Sequence, residues 1–330
     1  MPGQLWGVAA DGGYLYSDEL SDIFRNAVQP LTKMRNFCDA EDGMDKGLHR
    51  GQYFNWDIIS DLSVRAQRLS ETAPIPQTSF TVTQGQLTVV EWGNSVAWTE
   101  KLDNLSKAPA VKLIDKALKH DARKLFDAEA WTQFNATPLR VAPTGGNSTT
   151  AVTLTTNGAT ATTNNVAMGT GHIKAISDTM KERNIPPYEA DAYFCISHPT
   201  TFRGVKNSLE SIHQYTSDGL QMIRFGEIGR YEDFRFIEQN NIPKGGANDS
   251  VTFSAFTNTA DEWNNGLSSW AFFFGADTVT EAVVVPEEIR ASSPTDFGRS
   301  KALAWYALGG FGCIHTAAAQ ARIVKWDSAA

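Results

Sequence analysis

The chain has 330 residues, 42% of them hydrophobic and 20% charged, which is ordinary for a globular protein. Its formal net charge of -8 argues against a surface built mainly to bind nucleic acid, because phosphate contacts need clustered lysine and arginine. Its three cysteines, Cys38, Cys195 and Cys313, lack the spacing of a metal site and are predicted to be reduced thiols. No signal-peptide pattern opens the chain and no apolar run approaches the ~18 residues of a bilayer span, so no membrane partner is expected.

The first 50 residues are predicted to form an arm, because they offer too little apolar surface to fold alone. One short amphipathic helix is predicted within the arm at residues 17–28, with Leu20, Ile23 and Phe24 on a single face. Such a helix must bury that face against another surface.

The arm is followed by residues typical of strands. Apolar residues alternate with threonine and glutamine over residues 80–98, which predicts an extended hairpin. Gln84, Gly85 and Gln86 are predicted to form its turn or a bulge, and residues 93–94 are a second turn candidate. Because the hairpin contains many threonine and glutamine residues, it is poorly suited to a buried core. We therefore expect the hairpin to contact something outside its own fold.

One long helix is predicted over residues 107–134. Its apolar positions follow the three-and-four spacing of a single buried face: Val111, Ile114, Leu118, Ala122 and Leu125. Pro109 fits the first turn, where its missing N–H costs little. At 1.5 Å per residue the helix would span roughly 40 Å, which is long for a compact enzyme domain.

The second half of the chain alternates helices and strands. Residues 140–170 are rich in threonine, asparagine and glycine and predict a surface excursion in the form of a hairpin. A helix at 172–183, a buried strand at 192–197 and a helix at 200–209 follow. Further short strands are predicted at residues 234–238, 251–256, 269–274, 280–285, 302–308 and 320–326.

Catalytic signatures are missing from the sequence, so we predict no catalytic residue, no cofactor and no metal. The glycine-rich pieces lack the other residues of a phosphate-binding loop, and there is no Gly-x-Ser-x-Gly elbow. The strongest enzyme candidate joins His198, which follows a buried strand, with Glu210 and His213, which share one helical face. A capping histidine and a surface helix end explain the same residues more simply.

Taken in order, these segments resemble the major capsid proteins of tailed bacteriophages, whose fold is shared with herpesvirus capsid floors. The segments that carry the resemblance are residues 91–99, 113–134, 172–183, 193–199, 225–238, 294–299, 304–311 and 321–324. Together they cover roughly residues 50–326, and their collinear order is more informative than any single motif. The threonine-rich excursion is not part of the family's minimal pattern.

This resemblance implies an α+β fold with an N-terminal arm, an extended β-hairpin loop, a long spine helix in a peripheral domain and an axial α/β domain. The implied domains are the arm at 1–50, the hairpin with its flanking strands at 51–103, the peripheral domain with the spine helix and excursion at 104–171, the axial domain at 172–270, and return strands of the peripheral domain at 271–330.

The implied function is structural. Such a protein assembles as hexamers and pentamers, in the host cytoplasm, into the icosahedral shell of the virion that encloses the double-stranded DNA genome. Expected partners are copies of itself, a separate scaffolding protein, a portal, decoration proteins, and DNA contacted on the inner face without sequence specificity. The predicted inter-subunit contacts are Leu20, Ile23, Phe24, Gln84, Gly85, Gln86, Arg230 and Arg299.

Three alternatives stay open at this point. A nanocompartment shell with the same fold would enclose a protein cargo instead of DNA. An unrelated α/β enzyme would use His198, Glu210 and His213, which would have to converge on one pocket. A phage tail-tube subunit is disfavoured by the long helix, because tube subunits are mainly β.

Overall fold

A computed structural model describes residues 33–42, 51–60, 62, 66, 68–69, 71, 74–75, 77–106, 109–159, 166–189, 191–213, 230–240, 270–294 and 296–328. Two predicted elements lie outside the described residues. They are the arm helix at 17–28, with Leu20, Ile23 and Phe24, and the strand at 251–256.

The α-helices of the described residues are α1 (Glu100–Leu105), α2 (Ala110–Asn135), α3 (Thr170–Glu182) and α4 (Arg203–His213). The long predicted helix is confirmed as α2, which we call the spine helix, and Pro109 immediately precedes it. Leu118, Ala122, Phe126 and Phe134 bury one face of it, as the spacing predicts. Val111 was predicted on that face and is 40% exposed, because Ala110 takes the buried position of the first turn.

The strands of the described residues are β1 (Asp39–Asp42), β2 (Tyr53–Ile59), β3 (Val82–Thr88), β4 (Val90–Thr99), β5 (Leu139–Pro143), β6 (Val152–Thr155), β7 (Tyr193–Ser197), β8 (Arg230–Tyr231), β9 (Phe234–Glu238), β10 (Ala271–Phe274), β11 (Val279–Ala291), β12 (Ser300–Cys313) and β13 (Ile323–Trp326). The strands predicted at 192–197 and 234–238 are confirmed as β7 and β9. Those predicted at 280–285 and 302–308 are longer than expected, because β11 and β12 form one hairpin whose ends extend beyond their apolar stretches.

The spine helix packs on a small sheet with the strand order β1-β11-β12-β4. The ring of Phe126 meets Trp92, Trp305 and Phe311 at centroid distances of 5.4, 5.8 and 6.2 Å. Such aromatic contacts stabilise beyond the area they bury, which fixes the helix along the sheet.

A large sheet has the strand order β6-β5-β13-β10-β7-β9-β8. Side chains of a strand alternate between the two faces of a sheet, and both faces of this one are covered. Phe272 and Phe274 face the spine helix, where Phe134 lies 5.0 Å from Phe274 between ring centroids. Phe273 faces the other side, in the same cluster as Ile173 of α3. The continuous apolar run of β10 therefore reflects a strand buried on both faces.

A polar network is buried where β13 ends. Asp327 is 1% exposed and accepts hydrogen bonds from Arg140 Nη1 at 3.1 Å and Trp270 Nε1 at 3.0 Å. Lys325 Nζ donates to Asn135 Oδ1 at 2.6 Å and lies 3.7 Å from the centroid of the Trp270 ring. The network ties β5, the spine helix and the chain before β10 to the end of β13.

The predicted hairpin over residues 80–98 is wrong in its pairing. β3 pairs with β2, from Ile59 opposite Val82 to Tyr53 opposite Thr88, and β4 pairs with β12. Alternation of apolar and polar residues identifies a strand but not the strand with which it pairs. Gly85 and Gly93, which were predicted to lie in turns or a bulge, instead lie where another residue packs closely against the backbone. A Cβ at Gly85 would lie 2.3 Å from the Trp56 ring, and one at Gly93 would lie 2.8 Å from the Trp305 carbonyl oxygen.

Residues 271–330, predicted as return strands of the peripheral domain, contribute strands to both sheets. β11 and β12 lie in the small sheet, whereas β10 and β13 lie in the large one. Short apolar strands look alike in sequence, and only long-range pairing separates them. The domain boundaries themselves stay a prediction.

The threonine-rich excursion is more closely integrated than expected. β5 and β6 form the predicted hairpin, and they also make one edge of the large sheet. The exposed turn between them covers the start of α3, where Gly171 N donates to Asn147 Oδ1 at 3.2 Å. His172 accepts from Gly169 N at 3.1 Å through Nδ1, so its Nε2 donates to the Gly146 carbonyl at 2.8 Å. The excursion therefore caps a helix.

Candidate subunit-contact surfaces

The β2–β3 hairpin is anchored to the small sheet at its base. Phe54 and Leu87 are buried against Ala282 of β11, and Trp56 Nε1 donates to the Ile314 carbonyl at 3.2 Å. Gly310 of β12 makes room for this contact, because a Cβ there would lie 2.6 Å from Leu87 Cδ1. The base of the hairpin is therefore held in a fixed position on the subunit.

The rest of the hairpin exposes large apolar side chains. Ile59 is 70% exposed, Phe80 58% and Val82 53%, and Tyr53, which neighbours Phe54 at the base, is 57% exposed. Ile59 and Val82 face each other across the two strands, so their side chains form one apolar surface at the distal end of the ladder. Contiguous exposed apolar surface on a folded protein marks an interaction site.

The three predicted hairpin-tip residues lie elsewhere. Gln84, Gly85 and Gln86 occupy the middle of β3, with Gly85 opposite Trp56. Gln84 and Gln86 are exposed, and the amide of Gln84 donates to Asp57 Oδ1 at 3.4 Å. The placement at a tip is therefore wrong, and their role in subunit contact stays a prediction.

The segment that enters the body from the N-terminal side is held by a buried polar anchor. Met34 is fully buried, and its backbone N–H donates to Asp127 Oδ1 of the spine helix at 2.8 Å. Gln239 donates to the other oxygen of Asp127, and its own side-chain oxygen accepts from Lys33 N at 3.1 Å. The spine helix, through Asp127, and the residue after β9, Gln239, thus both fix the position of residues 33–34.

Arg35 adds an ionic contact to this anchor. Its guanidinium hydrogen-bonds Glu281 and Glu287, each at 2.8 Å at the closest approach, and lies 4.4 Å from the centroid of the Phe126 ring. Burial alone would lower the pKa of Arg35, but the bonds to Glu287 and Glu281 outweigh it and raise that pKa. The same bond lowers the pKa of Glu287. Residues 33–35 are therefore held in a defined position on the subunit.

The two predicted contact arginines lie on separate parts of the subunit. Arg230 is on β8, at the edge of the large sheet, and pairs with Asp233 at 3.2 Å. Arg299 is in the turn between β11 and β12 and lies 3.5 Å from Asp296, with 79% of its side chain exposed. Among the predicted contact residues that the structure describes, Arg230 and Arg299 therefore lie beside different sheets.

The candidate enzyme site finds no support in the geometry of His198. Its side chain is 9% exposed, and its Nδ1 lies 2.7 Å from Thr200 Oγ1 and accepts from Thr200 N at 3.3 Å. These bonds stabilise the turn after β7. The side chains of Glu210 and His213 lie outside the described residues, so convergence of the three stays untested.

The part of the chain that the structure describes lacks two further kinds of feature. No group of three or more histidine, cysteine, aspartate or glutamate side chains there is arranged to hold a metal ion. Within the same residues, no helix combines the length and the hydropathy that crossing a membrane requires.

Residues 83–322 match the family described as phage capsid protein. This chain belongs to that family. A phage capsid protein is a structural component of the virion capsid, and it associates with copies of itself to form a shell. A search of curated protein sequences found no match to this capsid protein.

Solved phage capsids share the fold of this capsid protein at low sequence identity. The capsid structure of Cyanophage P-SCSP1u aligns with a TM-score of 0.65 at 12% identity, covering 96% of this chain and 93% of the other. The capsid of Ralstonia phage GP4 gives 0.65 at 12% identity and 98% coverage of both chains. The acid-stable capsid of Helicobacter pylori bacteriophage KHP30 gives 0.64 at 11% identity, also with 98% coverage of both. The α+β capsid fold of this chain is therefore established.

Sequence reasoning missed two features of this capsid protein. The anchor around Arg35 joins residues 246 positions apart, and no local pattern signals such a pairing. Phe297 stands at the end of the β11–β12 hairpin and is 106% exposed. An aromatic residue between Asp296 and Gly298, two residues typical of turns, was the available signal for it.

Proposed function

We propose that this capsid protein assembles as hexamers and pentamers into an icosahedral shell around a double-stranded DNA genome. The observation that carries the proposal is the β2–β3 hairpin, which is anchored at its base and exposes apolar side chains beyond it. In a shell, that exposed surface would lie on a neighbouring subunit.

The energetics favour a role in assembly. Full burial of a valine, isoleucine or phenylalanine side chain contributes about 1.5–3 kcal/mol. Ile59, Phe80 and Val82 leave most of that contribution unrealised within their own subunit. A closed shell repeats each contact many times, so modest contacts give a stable particle.

The charge of the chain is consistent with packaged DNA that must later leave the particle. A net charge of -8 gives little sequence-independent attraction to phosphates. We infer contact with DNA on the inner face without sequence specificity. We also infer a purely structural role without catalysis, assembly in the host cytoplasm, and cooperation with a separate scaffolding protein, a portal and decoration proteins.

Electron microscopy of the purified full-length protein, expressed alone and together with its phage's head proteins, tests the proposal. Closed shells, or rings of five and six subunits, are the expected result. Shells filled with a protein cargo would favour the nanocompartment alternative. Monomers under both conditions would overturn the proposal.

A pair of hairpin variants sharpens the test. Ile59→Asn with Val82→Asn removes the exposed apolar pair and should abolish or strongly reduce shells, while the melting temperature of the isolated subunit stays unchanged. Ile59→Val with Val82→Ile keeps the surface apolar and should assemble normally. Normal assembly of the asparagine variant would show that the hairpin does not take part in the subunit contact.

A further inference from the structure

Phe297 occupies the end of the longest hairpin of the described residues. Its turn is closed by hydrogen bonds from Ser292 N to the Ala302 carbonyl at 2.9 Å and from Arg299 N to the Asp296 carbonyl at 3.0 Å. The Phe297 side chain is nevertheless 106% exposed, the highest value among the exposed large hydrophobic residues that the structure describes. The ring therefore gains nothing from its own subunit.

The backbone at this position is also unfavourable for phenylalanine. Three consecutive residues have left-handed φ angles, 51° at Asp296, 54° at Phe297 and 92° at Gly298. The other non-glycine residues with positive φ in the described part of the chain are asparagine, aspartate or glutamate. Asparagine and aspartate tolerate this region, whereas a bulky aromatic residue there is an outlier. Strain and full exposure at one residue together indicate function outside the subunit.

The turn lies at the end of the subunit remote from the large sheet. Phe134, at the end of the spine helix, contacts that sheet, and the start of the helix lies about 40 Å away along its axis. The helix α1, which leads to that start, begins beside the turn, where Glu100 N donates to the Arg299 carbonyl at 2.9 Å. Leu105 at the end of α1 is 53% exposed, and Val111 in the first turn of the spine helix is 40% exposed.

This end of the subunit thus offers an apolar projection, Phe297, and two exposed apolar side chains, Leu105 and Val111. It also carries both signs of charge, with Arg299 near Asp296 at 3.5 Å, and Lys301 near Asp103 at 3.8 Å. Projection, receiving surface and mixed charges on one chain are what a contact between identical subunits requires. A different partner protein would not need the receiving surface to be on this chain.

We propose that Phe297 packs against the exposed side chains of Leu105 and Val111 on a second copy of this chain. The contact joins subunits at the ends of their spine helices, separately from the β2–β3 hairpin. It rests on the proposed function, because it presupposes that copies assemble into a shell.

The first test compares two variants of the full chain under conditions in which the wild-type protein forms shells. Phe297→Asn removes the ring and suits the left-handed backbone. It should leave the melting temperature of the isolated subunit unchanged or higher, and lower the yield of shells about tenfold or more, as loss of an anchoring aromatic residue does. Phe297→Leu keeps an apolar side chain and the strain, and should retain most of the assembly.

The second test locates the receiving surface. Phe297→Lys and Leu105→Glu should each reduce assembly, and the double variant should regain it, since every contact then pairs a lysine with a glutamate. Phe297 is fully exposed in its own subunit, so such coupling reports contact between copies.

The outcomes separate this inference from the function on which it rests. If the wild-type protein forms shells and Phe297→Asn gives the same shell yield and the same stability, the proposed role of Phe297 is overturned. Additive losses in the double variant would overturn Leu105 as its partner surface. A wild-type protein that forms no shells would overturn the proposed function, and this contact with it.

Discussion

The buried polar network at the end of β13 and the β2–β3 hairpin place their side chains in opposite environments. In the network, Arg140, Asp327 and Lys325 are charged, and each finds its partners inside the subunit. In the hairpin, Ile59 and Val82 are apolar and remain in solvent. The first arrangement stabilises one folded subunit, and the second has value only when subunits meet. Stability and assembly therefore depend on separate residues, and substitutions should separate them.

The largest effect is expected within the network. Asp327→Ala leaves Arg140 buried without its carboxylate and should lower the free energy of unfolding by about 3–5 kcal/mol. Urea denaturation of the isolated subunit measures this change. Asp115→Ala breaks the exposed pair with Lys119, which lies at 2.8 Å, and should cost at most about 1 kcal/mol. Equal losses in the two variants would contradict the structural role assigned to the network.

A smaller effect sharpens the comparison within a single strand. Leu87 of β3 is 3% exposed, so Leu87→Ala should lower the free energy of unfolding by about 2–5 kcal/mol. Val82→Ala, on the same strand, should change it by less than about 0.5 kcal/mol but reduce the yield of shells. Unfolding curves together with light scattering during assembly would show the two effects. A loss of stability in Val82→Ala equal to that in Leu87→Ala would break the proposed division.

The smallest effect concerns pH. Burial, and to a lesser extent Arg322, lowers the pKa of His315 to about 4, and its Nδ1 has no hydrogen-bond partner among the described residues. The unfolded chain therefore binds the proton more tightly, and stability present above pH 6.5 is lost as the pH falls towards 4. The loss should reach about 3 kcal/mol at most.

Unfolding midpoints of the isolated subunit between pH 7 and 4 test this expectation, with His315→Gln as the comparison. The variant should lose part of the pH dependence. Burial also lowers the pKa of His172, so a remaining slope of the same sign is expected. Identical slopes for the two proteins would show that His315 does not titrate in this way.

The sequence predicted the elements of the fold better than their partners. The spine helix was predictable because its buried residues repeat at helical spacing, and β7 because its apolar run is bounded by polar residues. The pairing of β3 with β2 was not, since Gly85 has the appearance of a turn residue and fits beneath Trp56 only in three dimensions. Long-range pairs have no local signature.

The same limit applies to the contact surfaces. Leu20, Ile23 and Phe24 lie outside the described residues, and Gln84 and Gln86 are exposed in mid-strand. Ile59, Val82 and Phe297 became candidates only when their exposure was known, because an apolar residue in a strand or turn is more often buried. Sequence indicates which side chains are apolar, and only the fold shows which of them remain uncovered.

The position of β13 has a consequence for the timing of folding during synthesis. It pairs with β5 on one side and β10 on the other, although β5 precedes it by more than 180 residues. At about 5–20 residues per second, the ribosome makes β13 some 10–40 s after β5. The large sheet stays divided until then, with the edge of β5 unpaired. A subunit thus completes its large sheet only after β13 has been synthesised, which postpones its entry into any growing particle until then.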